Sequence, residues 1–133
     1  DVRTGEVVFA NGGHNPPRLR NAAGTVAAVP AKTNMVVGAM GGRTFARETL
    51  ALRPGETLVL YTDGVTEAFN ESDQLYGEER LDRCLGAQPA GASAAEIVRG
   101  LMADVAVFAG AREQSDDITL LVLRYDTAGA NIS

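Results

Sequence analysis

Three aspartates stand where a carboxylate meets the end of an apolar strand. Asp63 directly follows the run Thr57-Leu58-Val59-Leu60-Tyr61-Thr62, and Gly64 behind it permits a sharp turn and a close approach of backbone to a ligand. Asp116 and Asp117 directly precede the run Ile118-Thr119-Leu120-Leu121-Val122-Leu123. If the two runs are antiparallel neighbours, the end of one and the start of the other lie at the same edge of the sheet, and the carboxylates converge. Converged carboxylates repel one another, and a divalent cation relieves that repulsion; carboxylates and water are the ligand set of Mg²⁺ and Mn²⁺. The same residues also fit a purely structural reading, because Asp-Gly after a strand is a common turn and an Asp pair before a strand is a common solvated loop. Successive residues of an extended segment point to opposite faces, so one of Asp116 and Asp117 faces a shared site and the other hydrogen-bonds locally.

Other chemistries fail on residue type. An Asp-x-Asp-Gly phosphotransferase signature of the haloacid-dehalogenase kind needs a nucleophilic aspartate where Tyr61 stands. An EF-hand counted from Asp63 meets Val65, Glu67 and Phe69, which is not a run of oxygen ligands at alternate positions. His14 is the only histidine, set in Asn11-Gly12-Gly13-His14-Asn15-Pro16-Pro17, and no Gly-x-Ser-x-Gly elbow exists to pair with it; it reads as a residue that fixes a turn. Residues 38–42 lack the Lys-Ser/Thr of a phosphate loop.

The 133 residues suffice for one domain, and 45% hydrophobic with 22% charged residues describes a globular chain. A net charge of −5 disfavours nucleic acid and anionic membranes and suits cations or basic protein patches. A single cysteine, Cys84, rules out an internal disulfide framework and a cysteine zinc cage. The sequence shows no signal peptide and no apolar run near membrane-spanning length, so a cytoplasmic location is the expectation. The chain opens Asp1-Val2-Arg3-Thr4 with no initiator Met, as a processed product or a piece of something larger would.

The elements that would position the aspartates follow from periodicity. Residues 5–11 read as a strand, followed by Arg18-Leu19-Arg20 and residues 25–29 around a turn at 21–24, giving an antiparallel meander over residues 5–29. Pro16 and Pro17 lack amide hydrogens and suit an edge or the start of a strand. Residues 32–42 show little periodicity, with residues 38–42 read as a flexible or tightly turning connection, residues 45–52 read as a half-buried strand and residues 53–56 as a turn. Residues 57–62 are apolar enough for burial on both faces. A short helical turn is expected at 67–70, and a helix at 78–85 with Leu81, Cys84 and Leu85 on its apolar side. Ser93-Ala94-Ala95-Glu96 is a capping box opening a helix over 94–108, with Ile97, Leu101, Val105 and Phe108 as its core stripe and Gly110 as its stop. Residues 118–123 read as a second central strand. Strands first, helices next and a last strand point to α+β with a mostly antiparallel sheet and helices on a face.

Asn11-Gly12-Gly13-His14-Asn15-Pro16-Pro17, Leu52-Arg53-Pro54-Gly55-Glu56 leading into Thr57-Leu58-Val59-Leu60-Tyr61-Thr62-Asp63-Gly64-Val65-Thr66-Glu67-Ala68, Tyr76-Gly77 with Arg80-Leu81, and Asp116-Asp117-Ile118-Thr119-Leu120 form an ordered series. It resembles the metal-dependent (PPM, type 2C) Ser/Thr phosphatases, in the bacterial branch of stage II sporulation protein E and the stress-response phosphatases that act on anti-sigma-factor antagonists. The resemblance implies an α-β-β-α sandwich with a dinuclear Mn²⁺ or Mg²⁺ centre at one edge. It makes Asp63 and Asp116 metal ligands, Asp117 a second-ranked ligand beside Asp116, and Gly64 the backbone turn at the metal. It also implies a phosphoprotein substrate, an upstream sensor or regulatory domain in the parent chain, attack by a metal-bridging water without a phospho-enzyme intermediate, and a possible homodimer. The first half of the family pattern, with its Gly-Gly-Asp-type motif, is missing, so residues 1–126 look like the C-terminal half of such a domain and residues 127–133 like a flexible tail. A catalytically inactive regulatory domain that binds a protein partner is the alternative.

Overall fold

The computed structural model describes residues 3–11, 16–29, 34–40, 43–112 and 117–126. In chain order the elements are β1 (Glu6–Asn11), β2 (Arg18–Arg20), β3 (Val26–Ala28), β4 (Asn34–Met40), β5 (Arg43–Ala51), β6 (Thr57–Tyr61), α1 (Asp63–Thr66), α2 (Gly77–Ala87), α3 (Ala94–Ala109) and β7 (Leu120–Arg124). They form two antiparallel sheets, one ordered β1-β5-β4 and the other β3-β2-β6-β7. The class is α+β, as the order of elements implies.

β6 organises the second sheet. Four of its five residues are buried, and the pleat sends them alternately to two cores. Val59 and Tyr61 face α2 and α3 and pack with Val65, Tyr76, Leu81, Leu85, Ile97, Leu101 and Val122. Leu58 and Leu60 face the other way, against Leu19, Val29 and the Leu50 and Leu52 pair at the end of β5, where the two sheets meet. Helices therefore cover one face of the second sheet and β5 approaches the opposite one.

The register makes β6 and β7 antiparallel neighbours, with Tyr61 opposite Leu120 and Thr57 opposite Arg124. β7 is the end strand of this ladder among the described residues, not a central one. Its Leu120 and Val122 join the helical core while Leu121 and Leu123 stay exposed. The expectation of two-sided burial holds for β6, whose side chains enter both cores, and the reading of residues 118–123 as a central strand is corrected.

The meander expected over residues 5–29 is corrected by the pairing. β1 pairs with β5 over six residue pairs, from Glu6 opposite Ala51 to Asn11 opposite Ala46, and β2 pairs with β3 and β6 in the other sheet. Pro16 and Pro17 stand between β1 and β2; without amide hydrogens they cannot donate to a ladder, although the Pro17 carbonyl accepts from the Val29 amide at 2.8 Å, and β1 and β2 on either side of them belong to different sheets. The stretch of little periodicity at 32–42 contains β4, which takes in part of the connection expected at 38–42 and pairs with β5 through a register shift between Asn34 and Gly38. That irregularity breaks the alternation that would have revealed the strand. The helical turn expected at 67–70 falls instead at α1, and residues 67–76 form a loop closed by an isolated bridge between Phe69 and Leu75.

The two longer helices follow their sequence signals. α3 opens on Ser93, whose hydroxyl accepts from the Glu96 amide at 3.1 Å. The Glu96 carboxylate accepts from that same hydroxyl at 3.2 Å, where the expected reciprocal box would have it accept from a backbone amide. Gly110 ends the helix at φ 61°, a left-handed conformation that glycine adopts without strain. α2 buries Leu81, Cys84 and Leu85. Burial, followed by the nearby Asp104 charge, pushes the Cys84 thiol above its ordinary range, so it is a poor nucleophile near neutral pH. Two strand arginines hold the loop between α2 and α3. Arg20 donates to the carbonyls of Gln88 at 2.5 Å and Pro89 at 2.7 Å, and Arg124 donates to that of Ala92 at 2.6 Å.

Removing the α3 cap and removing a core side chain should differ in magnitude. By urea denaturation, Ser93→Ala is expected to cost about 1 kcal/mol and Leu58→Ala about 3 kcal/mol. Equal losses would contradict the two-sided burial of β6.

Candidate functional site

The apolar run of β6 ends at Thr62, and this residue joins the two segments that carry the aspartates. Its amide donates to the Thr119 carbonyl at 3.1 Å, extending the β6–β7 ladder by one step. Its hydroxyl accepts from the Thr119 amide at 3.0 Å and donates to the Asp117 carbonyl at 3.2 Å. A threonine at a helix N-cap ordinarily turns its oxygen to the helix amides. Thr62 makes no such bond to α1, because its hydroxyl is committed across the sheet edge.

Gly64 closes the same junction. A Cβ placed there would run into the carbonyl of Asp117 and crowd the Ile118 amide, so the backbones of residues 64 and 117–118 approach more closely than any side chain would allow. Gly64, Val65 and Thr66 are buried, while Asp63 is half-buried at the rim. The Asp63 carbonyl accepts from the Glu67 amide at 2.8 Å, which completes the single turn of α1. Asp63, Gly64 and Asp117 are thus brought to one edge, as antiparallel pairing requires. Asp117 is exposed and presents its backbone carbonyl to Thr62. Asp116 and His14 lie outside the described residues.

Behind the edge lies a polar network that the sequence did not single out. The Pro16 carbonyl accepts from the Tyr61 hydroxyl at 3.1 Å and from Arg18 Nη1 at 3.1 Å. Arg18 is 3% exposed; its Nε donates to Asp82 at 2.7 Å and its Nη2 pairs with Glu78 at 3.2 Å, both on α2. Its guanidinium lies 6.0 Å from the centre of the Tyr61 ring. Burial pushes the Tyr61 phenol above its ordinary value, with the Arg18 charge opposing, so the hydroxyl stays a donor at neutral pH. Thr62 could have been found from its position, a hydroxyl between an apolar strand and Asp-Gly.

In kind, a carboxylate at the rim and backbone carbonyls are oxygen donors of the type a hard divalent cation takes, and the carbonyls of Asp63 and Asp117 already accept hydrogen bonds from Glu67 and Thr62. In number they fall short, since no group of three or more His, Cys, Asp or Glu side chains forms among the described residues.

Two antiparallel sheets with helices on one face match about half of the PP2C-type phosphatase domains of known structure. Residues 1–126 match the family of Stage II sporulation protein E (SpoIIE), and the chain belongs to that family. The phosphatase domain of SpoIIE from Bacillus subtilis, from a Mn-presoaked crystal, superposes with a TM-score of 0.70 at 21% identity, covering 95% of this chain and 53% of that one. The SiaA-PP2C domain of Pseudomonas aeruginosa gives 0.66 at 26% identity, covering 92% and 47%. Protein IcfG of Synechocystis is 31% identical over 123 residues, 92% of this chain and 19% of that protein. The chain spans about half of the similar domains and about a fifth of this relative. No described helix is long and apolar enough to cross a membrane.

The close approach at Gly64 yields a direct test. Gly64→Ala should destabilise by about 2 kcal/mol in denaturant unfolding, whereas Gly91→Ala, at a position with nothing within 4 Å of the added carbon, should change little. Equal tolerance of both would contradict the tight contact with residue 117.

Proposed function

We propose that residues 1–126 are the C-terminal half of a PPM-type phosphatase domain that removes phosphate from phosphoserine or phosphothreonine of a regulatory protein, such as an anti-sigma-factor antagonist. Asp63 and Asp116 serve as ligands to Mn²⁺ or Mg²⁺, with Asp117 next to them, and Gly64 allows the backbone to turn beneath the ions. The observation that carries this reading is the Thr62 clasp. It ties the segment ending in Asp63 to the segment containing Asp117, two stretches more than fifty residues apart, at the places that match the two metal-binding motifs of the family.

Bound divalent ions would supply charge stabilisation to a phosphoryl group in transfer. The chain's own part is positional. The β6–β7 ladder fixes the separation of the two acidic segments, and the Thr62 hydroxyl holds their backbones together. Gly64 leaves no side chain between them, and the half-buried rim keeps Asp63 accessible from solvent. Preorganisation of this sort means that little rearrangement is needed when ligand binds. The family's sensor or regulatory domain upstream, cytoplasmic location and possible homodimer belong to the same reading of the parent protein.

The reading is tested in the full-length protein. Asp63→Asn should abolish most Mn²⁺-dependent hydrolysis of a phosphoprotein while leaving the thermal unfolding temperature nearly unchanged; hydrolysis at the normal rate would refute the metal assignment. The 133-residue chain by itself should hydrolyse p-nitrophenyl phosphate little or not at all. Robust Mn²⁺-dependent turnover by it would show that the ligand set is complete within this chain.

A further inference from the structure

We infer that Arg18 is a positioning residue for the Asp63 edge, transmitting the placement of α2 to the end of β6 through the carbonyl of Pro16. The inference rests on reading that edge as a cation site, but its geometry stands apart from any ion.

Arg18 is an unusual choice for its place. It lies on β2 opposite Val59 of β6, on the face that packs against the helices, where an aliphatic residue would pack without desolvating a charge. Four contacts hold it there. Asp82 and Glu78 of α2 take Nε and Nη2, the Pro16 carbonyl takes Nη1, and the guanidinium neighbours the ring of Tyr61. The two carboxylates are partly exposed, with side chains 41% and 54% accessible, so they do not need Arg18 for their own solvation. The need runs the other way. Without the helix carboxylates a nearly buried guanidinium would lack its counter-charge.

The shared acceptor gives this arrangement a consequence at the site. Pro16 carbonyl oxygen receives both Arg18 and Tyr61, so the position of one donor constrains the other. Tyr61 is followed directly by Thr62, which clasps residues 117 and 119, and then by Asp63. A side chain anchored on α2 thus fixes the last residue of β6, and through it the direction in which the chain leaves the sheet. A guanidinium can meet all these acceptors at once because its donors form a rigid planar fork; a lysine ammonium cannot.

Arg18→Met should loosen the edge locally, because it fills the same volume and leaves two solvated carboxylates behind. In hydrogen exchange on the full-length protein, the Thr62, Val65 and Thr119 amides should exchange about tenfold faster, with Leu101 in α3 unchanged. The Mn²⁺ dissociation constant by calorimetry should rise about tenfold, the scale of losing a supporting contact to a ligand. Tyr61→Phe should reproduce the pattern, and the double variant should be no worse than the larger single effect. A uniform rise in exchange across the chain, unchanged exchange at the three amides, or multiplying effects in the double variant would overturn the inference. Should Arg18→Met not fold, Asp82→Asn, which only weakens the anchor, decides by the same localised or uniform pattern. Asp63→Asn serves as the control. If it leaves Mn²⁺ affinity intact, the cation-site reading fails, while the exchange pattern still judges Arg18.

Discussion

The burial of β6 on both faces is the constraint from which the rest of the molecule follows. A five-residue strand with Leu58 and Val59 fully buried needs a layer above and a layer below. α2 and α3 provide one, and the end of β5 with Leu19 and Val29 provides the other. Lateral pairing to β2 and β7 then satisfies the β6 backbone, and antiparallel register sends the start of β7 to the end of β6. The acidic edge is where this buried strand has to emerge into solvent. Thr62, Asp63 and Gly64 handle that transition in three residues: a hydroxyl that binds across the ladder, a carboxylate at the rim, and a glycine that lets two backbones touch.

The helix-facing side of β2 adds a second principle. Arg18 and Arg20 are 3% and 2% exposed, so each must find partners inside the fold. Arg18 finds side-chain carboxylates on α2, whereas Arg20 finds the carbonyls of the loop that leaves α2. The two arginines grip opposite ends of one helix. The helix layer is thereby held to the sheet by directional bonds as well as by the non-directional packing of Leu81, Leu85, Ile97 and Leu101.

Much of this was legible in the sequence, and the rest was hidden for physical reasons. β6 and α3 carry strong local signals, an unbroken apolar run and a capped 3.6-residue stripe, and both fold as those signals imply. The convergence of Asp63 with residue 117 was legible too, because it needs only that β6 and β7 be neighbours. Pairing partners across long stretches are not encoded locally, so β1 looked like the partner of β2 when its register belongs to β5. β4 was hidden by its irregular register and its glycine. The roles of Arg18 and Tyr61 escaped because they depend on contacts with residues 82 and 16, and no spacing within the chain announces such contacts.

The central claim is that two distant segments, joined by Thr62, make one cation-binding edge. Paramagnetic broadening by sub-stoichiometric Mn²⁺ in amide-resolved NMR spectra of the full-length protein tests it most directly. The account predicts that the amides of residues 63–65 and 117–118 broaden together, and that Asp63→Asn removes both effects at once. Broadening at one segment without the other, or at acidic residues of α2 in place of either, would contradict it.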